Sequence, residues 1–349
     1  MGRGGEERVT VKQTTCHAPA QAMPRIAVLL PCYNEEAAIA ATVRGFAAAL
    51  PGAAIYVYDN NSRDRTVEVA RAAGAVVRTE RMQGKGHVVR RMFADIDADI
   101  YVMADGDATY DAAAAPALVR RLVDERLDMV VGTRVHEVSD AYRRGHVLGN
   151  RLMTGMLARL FGRSFTDIFS GYRVFSRRFV KSFPALSQGF ETETEISVHA
   201  LELKLPVGEM DTTYFARPEG SASKLSTYRD GWRILVTIAT LYRIERPMLF
   251  FGLIGGLLAL AAVVLTAPLA VTYAETGLVP RFPTAILATG LMILGFLSLA
   301  CGLILDTVVR GRREVRRLAY LAQPAPDAAD AGEHGVASPA FHARAVTEQ

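Results

Sequence analysis

Short apolar runs alternate with helical patterns between residues 25 and 134 of the chain. The helical patterns cover residues 36–50 and 64–73, and the apolar runs are short and in part β-branched. The runs lie at residues 26–30, 55–58, 75–77, 100–104 and 128–131. Because strands that alternate with helices form parallel sheets covered by helices, this pattern predicts an α/β fold with a mostly parallel sheet.

Polar clusters follow directly after the first, second and fourth of these runs. They lie at residues 33–35 (YNE), 59–61 (DNN) and 105–107 (DGD). Parallel sheets bind their ligands beyond the carboxyl ends of the strands. The sequence therefore predicts one ligand site where these strand ends meet.

The pattern is less regular between residues 135 and 226, where we expect helices at 149–161 and 191–203. Residues 227–246 are amphipathic, with Trp232 on the apolar face and arginines spread elsewhere. This pattern is typical of a helix that lies in the membrane interface just before a span. An ordinary helix packed on the domain would show the same pattern and is the alternative.

Two long apolar runs, residues 248–270 and 284–305, contain no charged residue. A helix needs about 20 apolar residues to cross the hydrocarbon core of a membrane. We therefore predict two C-terminal transmembrane helices, with a pair of buried helices in a soluble protein as the alternative.

Arginines flank the two runs on one side of the expected membrane, whereas the loop at residues 271–283 has only Arg281. They are Arg229, Arg233, Arg243, Arg246, Arg310, Arg312, Arg313, Arg316 and Arg317. Basic residues collect on the cytoplasmic side of a span. We expect a multi-pass protein of the cell membrane with its large N-terminal part and both termini in the cytoplasm.

Composition and charge refine this organisation. Hydrophobic residues make up 50% of the chain and the net charge is +4. Because the basic residues cluster beside the spans, anionic lipid headgroups are the expected partner and nucleic acid is not. The expected segments are a flexible leader (1–24), a cytosolic domain (25–226), an interfacial helix (227–246), a transmembrane hairpin (247–310) and a basic, then disordered, cytosolic tail (311–349).

The acidic pair Asp105 and Asp107 is the first candidate for chemistry. Carboxylates spaced in this way at a strand end can both reach one hard cation, and Mg²⁺ fills its remaining positions with phosphate oxygens and water. A cation would also offset the repulsion between the two carboxylates. An acidic turn is the alternative, since Asp-Gly is a common turn dipeptide.

Two further side chains favour a nucleotide site over an acidic turn. Asp59 ends a strand, and its carboxylate can accept hydrogen bonds from a ribose or a base edge. Ser62 or Asp64 is placed to cap the following helix, which leaves Asp59 for this role. Lys85 lies between glycines at a helix start, where backbone N–H groups and a lysine favour an anion. A plain glycine loop is the alternative for Lys85.

The motifs, taken in order, resemble those of family 2 glycosyltransferases with the GT-A fold. They are residues 31–36 (PCYNEE), 59–66 (DNNSRDRT), 105–107 (DGD) and 132–134 (GTR). Residues 167–173 (DIFSGYR) and 217–225 (RPEGSASKL) resemble the branch with dolichyl-phosphate mannose and glucose synthases and bacterial polyprenyl-phosphate glycosyltransferases. The resemblance covers residues 25–230, and the fold it implies is a Rossmann-like mostly parallel sheet with flanking helices.

The resemblance implies a donor site for a nucleoside diphosphate sugar. Asp105 and Asp107 would hold Mg²⁺ or Mn²⁺ on the diphosphate, and Arg134 would face the phosphates or the sugar. The nucleoside would be held by Pro31, Tyr33, Glu35 and Asp59.

The resemblance also implies an acceptor site for a polyprenyl phosphate. Arg151, Arg217 and Lys224 would contact the acceptor phosphate, and Asp167 would orient or deprotonate the acceptor. A phosphate monoester is already largely ionised near neutral pH, because its second pKa is about 6. We therefore expect Asp167 to act more in positioning than in proton transfer.

The expected function is the inverting transfer of one sugar to a lipid phosphate on the cytosolic face of the membrane. A processive polysaccharide synthase of the same family and a non-catalytic scaffold or flippase subunit are the alternatives, and a homo-oligomer is left open. The chain departs from the family's usual pattern at Asn60, where an acidic residue is common, and at Thr109, where glutamine is common.

The acidic start of the helix at residues 191–203 has two interpretations. Glu191, Glu193 and Glu195 can simply offset the helix dipole, or they can contact sugar hydroxyls. His199 follows Glu195 by one turn, which favours a pair between these side chains. Cys32 is expected to be a packing residue.

Overall fold

A seven-stranded sheet forms the centre of the N-terminal part of this computed structural model. The structure describes residues 24–136, 154–156, 158–159, 162, 165–187, 191–216, 236, 240 and 243–324. The strands are β1 (Ile26–Cys32), β2 (Ala54–Asp59), β3 (Val76–Thr79), β4 (Ile100–Met103), β5 (Met129–His136), β6 (Arg173–Ser176) and β7 (Val207–Tyr214). Their order is β3-β2-β1-β4-β6-β5-β7, and β6 alone runs antiparallel to its neighbours. This mostly parallel sheet confirms the predicted fold class.

Helices cover both faces of the sheet. They are α1 (Ile39–Ala49), α2 (Thr66–Ala72), α3 (Lys85–Asp95), α4 (Ala115–Asp124), α5 (Arg177–Ser182) and α6 (Thr192–Leu203), with a short 3-10 helix at Ala112–Ala114. Successive strand residues point to opposite faces. Ala27 and Leu29 therefore join the core beneath α3, α5 and α6, whereas Val28 and Leu30 join the core beneath α1 and α4.

The carboxyl ends of β1, β2, β4 and β5 meet at one edge of the sheet. The register places Cys32 of β1 beside Asp59 of β2, and Leu29 beside Met103 of β4. Because β6 is antiparallel to both β4 and β5, the last residues of β5 lie at the same edge. The predicted polar clusters are thus brought to one side of the domain.

Two long apolar helices follow, α7 (Pro247–Thr276) and α8 (Phe282–Leu321), and each is long and apolar enough to cross a membrane. Only 11% and 17% of their most apolar windows are buried inside the protein, which argues against the alternative of buried core helices. Apart from Pro247 at the start of α7, the buried positions are spaced by seven residues: Gly255, Ala262 and Leu269 on α7, and Ala288, Gly295, Gly302 and Val309 on α8. This spacing is typical of a coiled-coil seam.

Helix α8 runs eleven residues beyond the expected boundary at residue 310 and ends at Leu321. The sequence pattern placed a basic tail there because the apolar run ends at Leu305. The basic segment stays helical because its arginines contact acidic groups of the N-terminal domain, including Glu202.

Several expected segments lie wholly or partly outside the described residues. These are the leader at 1–24 apart from its last residue, most of the helix expected at 149–161, the amphipathic segment at 227–246 apart from a few positions, and residues 325–349 of the tail expected at 311–349. Residues 154–156 and 158–159 are helical, as expected.

Candidate active site

The loops after β1 and β2 are tied together by hydrogen bonds that alternate between them. The Asn34 N–H donates to Ser62 Oγ at 2.8 Å, and the Arg63 N–H donates to Asn34 Oδ1 at 2.8 Å. The Glu35 N–H donates to Thr66 Oγ1 at 2.8 Å. These contacts fix the segment that holds the predicted nucleoside residues against the end of β2.

Asp59 is buried at the end of β2, beside Cys32 of β1. Its two carboxylate oxygens accept hydrogen bonds from the Ser62 N–H at 3.2 and 3.3 Å. Asp64 accepts from the N–H of Thr66, the first residue of α2, although Arg65 and not Asp64 occupies the N-cap position. Asp59 therefore also supports its own loop, which the sequence analysis did not anticipate.

The acidic side chains of the candidate site lie around the thiol of Cys32. Burial raises the pKa of Cys32 well above its ordinary value, and the nearby carboxylates raise it further; these are Glu35, Asp105, Asp59 and Asp107. Cys32 is 3% exposed and belongs to the core beneath α1, in keeping with a packing role. The predicted nucleoside and metal residues thus share one negatively charged region, with Tyr33 half-buried and Pro31 buried beside it.

Asn60 stands where the family often has an acidic residue, and its amide organises the loop before α3. Its Nδ2 donates to the carbonyl oxygens of Glu80 at 2.9 Å and Met82 at 2.8 Å. Its Oδ1 accepts from the Gly84 N–H at 2.7 Å. A carboxylate has no donor for these carbonyls. The departure at Asn60 therefore has a structural explanation.

Asp107 is oriented by Thr109, the second departure from the family pattern. Asp107 Oδ1 accepts from Thr109 Oγ1 at 2.6 Å and from the Thr109 N–H at 3.2 Å. Both side chains are buried. Thr109 thus holds one oxygen of the acidic pair in place.

Glycines allow the acidic loop to pack closely. A Cβ at Gly106 would lie 2.4 Å from Cys32 Sγ, and a Cβ at Gly171 would lie 2.7 Å from Asp105 Oδ2. Larger residues at either position would displace the acidic pair. Gly171 belongs to the loop before β6, so a segment far away in sequence shapes the pocket around Asp105.

Lys85, the first residue of α3, bridges two carboxylates. Its Nζ lies 2.5 Å from Asp105 Oδ1 and 2.5 Å from Glu193 Oε1, and its side chain is 11% exposed. Burial by itself lowers the pKa of Lys85, but the carboxylates of Asp105 and Glu193 outweigh burial and raise it. Lys85 is therefore a buried ammonium group, and in this structure the anions it contacts belong to the protein.

The acidic residues at the start of α6 differ in their contacts. Glu193 pairs with Lys85, and its Oε2 has no hydrogen-bond partner among the described residues. Glu195 instead accepts from the N–H groups of Leu186 and Ser187 at 2.9 and 2.8 Å.

The expected pair between Glu195 and His199 is wrong, because Glu195 bonds the backbone of the preceding loop. His199 contacts Ser182 Oγ at 3.2 Å, and its ring packs against Phe179 and Phe183. Burial lowers the pKa of His199 to about 3. His199 is thus a neutral core residue.

Arg134 and Asp167 form a two-point ion pair at the carboxyl end of β5. Arg134 Nε and Nη2 donate to the two Asp167 oxygens at 2.7 and 2.8 Å, and the Arg134 guanidinium lies over the Tyr214 ring. Parallel double contacts of this kind fix both geometry and charge. Asp167 therefore holds Arg134, a contact that sequence spacing did not reveal.

The Arg134 pair is joined to the acidic loop through aromatic residues. Tyr110 accepts from the Gly171 N–H at 2.8 Å and packs edge-on against Tyr214. The Phe215 N–H donates to the Thr109 carbonyl at 2.8 Å. The predicted acceptor residues Arg151, Arg217 and Lys224 lie outside the described residues.

The acidic pair fits a divalent cation that shares its ligands with a diphosphate. Among the described residues there is no group of three or more His, Cys, Asp or Glu side chains that could hold a metal by itself. Mg²⁺ is commonly bound by one or two carboxylates together with substrate phosphates and water. Asp105 and Asp107 would supply these carboxylates, and the contact of Asp105 with the Lys85 ammonium group is in keeping with a site for positive charge.

A family model described as glycosyl transferase family 2 matches residues 27–183. Over 237 residues the chain is 35% identical to the glycosyltransferase AglJ of Haloferax volcanii, covering 66% of this chain and 76% of that protein. Over 152 residues it is 30% identical to a dolichyl-phosphate hexose transferase of the same organism, covering 44% and 66%.

Solved structures with the same fold include the glucosyl-3-phosphoglycerate synthase of Mycobacterium tuberculosis in complex with Mn²⁺, UDP and glucosyl-3-phosphoglycerate. The TM-score is 0.51 at 23% identity, and the match covers 62% of this chain and 80% of that one. At this identity the likeness supports the fold alone.

Substituting Asn60 tests its role in the loop before α3. Asn60→Asp removes the donors to Glu80 and Met82, so we expect the free energy of unfolding to fall by about 1–3 kcal/mol. Urea denaturation of the purified protein in detergent measures this change. Asn61→Asp is the matched control, because Asn61 also donates to this loop but is exposed, and we expect a loss under about 0.5 kcal/mol. Equal losses in both variants would contradict the role of Asn60.

Proposed function

The chain belongs to glycosyltransferase family 2, and on that premise we propose that it transfers one sugar from a nucleoside diphosphate sugar to a polyprenyl phosphate at a membrane. The observation that carries the proposal is the convergence of Asp59, Asp105 and Asp107 at one sheet edge, in a chain that continues into two apolar helices. The similarity to a dolichyl-phosphate hexose transferase supports a lipid phosphate as the acceptor.

The donor would lie across the carboxyl ends of β1, β2 and β4. The nucleoside contacts would come from Pro31, Tyr33, Glu35 and Asp59. Asp105 and Asp107 would hold Mg²⁺ or Mn²⁺, which when bound offsets the charge of the departing nucleoside diphosphate. A protein with the same fold has been solved with Mn²⁺ and UDP, and we propose the same combination of cation and nucleotide for this chain.

Lys85 and Glu193 would complete the donor site from the side of α3 and α6. The Lys85 ammonium group already compensates Asp105, and it would add positive charge next to the diphosphate. Glu193 Oε2, which has no hydrogen-bond partner in the part of the chain that the structure describes, would accept a hydrogen bond from a sugar hydroxyl. This is the second interpretation of Glu193 given by the sequence.

The acceptor phosphate is itself the nucleophile. One of its oxygens forms a bond to the anomeric carbon while the bond from that carbon to the nucleoside diphosphate breaks, which inverts the configuration. Because a phosphate monoester is largely ionised near neutral pH, no residue has to remove a proton. Positioning and cationic side chains are what the reaction needs, and arginine suits phosphate because it presents a planar set of donors.

Arg134 would provide such a cation, and Asp167 would act as its positioning partner. The two-point contact leaves Asp167 oriented toward Arg134. Arg151, Arg217 and Lys224 are proposed to contact the acceptor phosphate near the membrane. The arginines beside the spans would contact anionic lipid headgroups.

The alternatives lack specific support. A processive synthase of this family carries a Gln-x-x-Arg-Trp motif, and this sequence has none. A non-catalytic scaffold would not require the acidic pair to be positioned by Thr109, Gly106 and Gly171. Transfer of a single sugar accounts for the site and the membrane helices together.

Asp107→Asn tests the proposed reaction. Membranes that contain the protein, a radiolabelled nucleotide sugar, Mg²⁺ and polyprenyl phosphate should yield labelled lipid for at least one donor from a panel of nucleotide sugars. Because the variant loses a charged oxygen ligand of the cation, we expect kcat/KM to fall on the order of 100-fold. Asp111→Asn is the control, since the Asp111 side chain accepts from the Ala113 N–H at the start of a short 3-10 helix, and asparagine retains that contact. Full activity in Asp107→Asn, or no labelled lipid with any donor, would refute the proposal.

The proposed topology places both termini and the catalytic domain in the cytoplasm. We expect a reporter fused to the C-terminus to be active only in the cytoplasm, and a cysteine introduced at exposed Leu278 between the spans to react with a membrane-impermeant reagent from outside. A C-terminal reporter that works only outside the cytoplasm would overturn this orientation.

A further inference from the structure

Helix α8 is longer than a membrane span requires. Its 40 residues extend about 60 Å, whereas the hydrocarbon core of a bilayer is about 30 Å thick. The apolar run ends at Leu305, and the helix continues from Asp306 to Leu321 over about 24 Å. This second part of α8, residues 306–321, is rich in arginine and forms the basic half of the helix.

The basic half of α8 binds the C-terminal end of α6. Arg313 Nε donates to Glu202 Oε1 at 2.9 Å, and Arg316 Nη1 contacts Glu202 Oε2. The Glu202 side chain is completely buried. A buried carboxylate in the last turn of a helix is opposed both by desolvation and by the helix dipole. Glu202 is therefore tolerated because arginines of α8 compensate it.

The end of α8 binds the sheet at the edge opposite the candidate active site. Tyr320 donates to Asp128 Oδ2 at 2.7 Å, and the guanidinium of Arg178 lies over the Tyr320 ring at 4.9 Å. Asp128 is fully buried and immediately precedes β5, whereas Arg134 lies near the other end of that strand. The membrane helix is thus fixed to the catalytic domain at two separate places.

Helix α6 connects one of these contacts to the donor site. Glu202 lies in its last turn and Glu193 in its first, about 14 Å apart along the helix. Glu193 contacts Lys85, which contacts Asp105. A continuous series of packed elements therefore joins the second apolar helix to the acidic pair.

The ion pairs that Arg313 and Arg316 form with Glu202 differ from an ordinary surface pair in the same part of the helix. Asp306 and Arg310 also form a pair, four residues apart, but the Arg310 side chain is 76% exposed. Exposed pairs of this kind contribute little. Buried arginine–carboxylate pairs add little net stability, but they define one geometry, because a displaced partner leaves a buried charge uncompensated.

We propose that the basic half of α8 is a rigid strut that sets the position of the active site relative to the membrane surface, with Arg313, Arg316 and Glu202 as its positioning residues. The proposal rests on the proposed function, because a lipid phosphate is confined to the headgroup layer. The catalytic domain must be held so that the anomeric carbon of the donor meets that layer. A small soluble acceptor places no such demand on the domain.

The test uses a variant that removes the buried charges together. Glu202→Gln, Arg313→Gln and Arg316→Gln are combined in the full-length protein, so that Glu202 and its two arginines lose their charges together. The buried Glu245, which also contacts Arg313, keeps its contact with Arg312. The control combines Asp306→Asn with Arg310→Gln, which removes an exposed pair from the same helix. Each protein is reconstituted in vesicles of phosphatidylethanolamine and phosphatidylglycerol.

Kinetics with two acceptors distinguish a displaced catalytic domain from a general loss of enzyme activity. With undecaprenyl phosphate in the vesicles, we expect kcat/KM of the triple variant to fall about tenfold or more, because small misplacements are costly in reaction geometry. With soluble geranyl phosphate we expect both variants to stay within about twofold of wild type. Equal losses of kcat/KM with both acceptors, or no loss with either, would overturn the proposal that the basic half is a positioning strut.

Hydrogen exchange tests the docking itself without relying on activity. The amides of residues 310–321 should exchange about tenfold faster in the triple variant than in wild type or control, because the helix end is released from the domain. Unchanged exchange would overturn the proposal. If the wild-type protein transfers sugar to neither acceptor, the proposed function is refuted. The hydrogen-exchange result then still tests whether the basic half is docked on the domain.

Discussion

The crowding of carboxylates at one edge of the sheet is the constraint on which the candidate site depends. Asp59, Asp105 and Asp107 all lie close enough to raise the pKa of Cys32, and like charges at such distances repel each other. The chain meets this constraint with Lys85 and with hydrogen bonds from Ser62 and Thr109. A cation bound together with an anionic donor fits the same arrangement, because it supplies the charge that the acidic pair attracts.

Residues that are far apart in the sequence help to build this edge of the sheet. Gly171 leaves room for the Asp105 carboxylate, Asn60 fixes the loop that leads to Lys85, and Glu193 provides the second partner of Lys85. The same helix that carries Glu193 is bound at its other end by the arginines of α8. The charged groups of the site and the second apolar helix are therefore parts of one packed structure.

Local patterns were sufficient to predict β1 to β5, the acidic strand ends and the two apolar helices. They did not predict β6 and β7, which lie in the segment where the pattern is less regular. Short apolar runs that alternate with helical patterns indicate buried strands. Because these strands are parallel, the polar residues that follow them lie at one edge of the sheet. The pairing of Arg134 with Asp167 and of Lys85 with Glu193 could not be predicted, because it depends on how distant segments pack. The same reason explains why α8 extends past residue 310: its arginines are compensated by Glu202 and Glu245, and hydropathy alone does not detect such partners.

Anomalous diffraction from crystals grown with Mn²⁺ and UDP measures the central claim most directly, since manganese can be located independently of the surrounding protein. The account predicts one manganese peak in contact with the Asp107 carboxylate and next to the diphosphate, with Lys85 still bound to Glu193. UDP bound at the strand ends with manganese absent from Asp105 and Asp107, or manganese bound at another place, would contradict it.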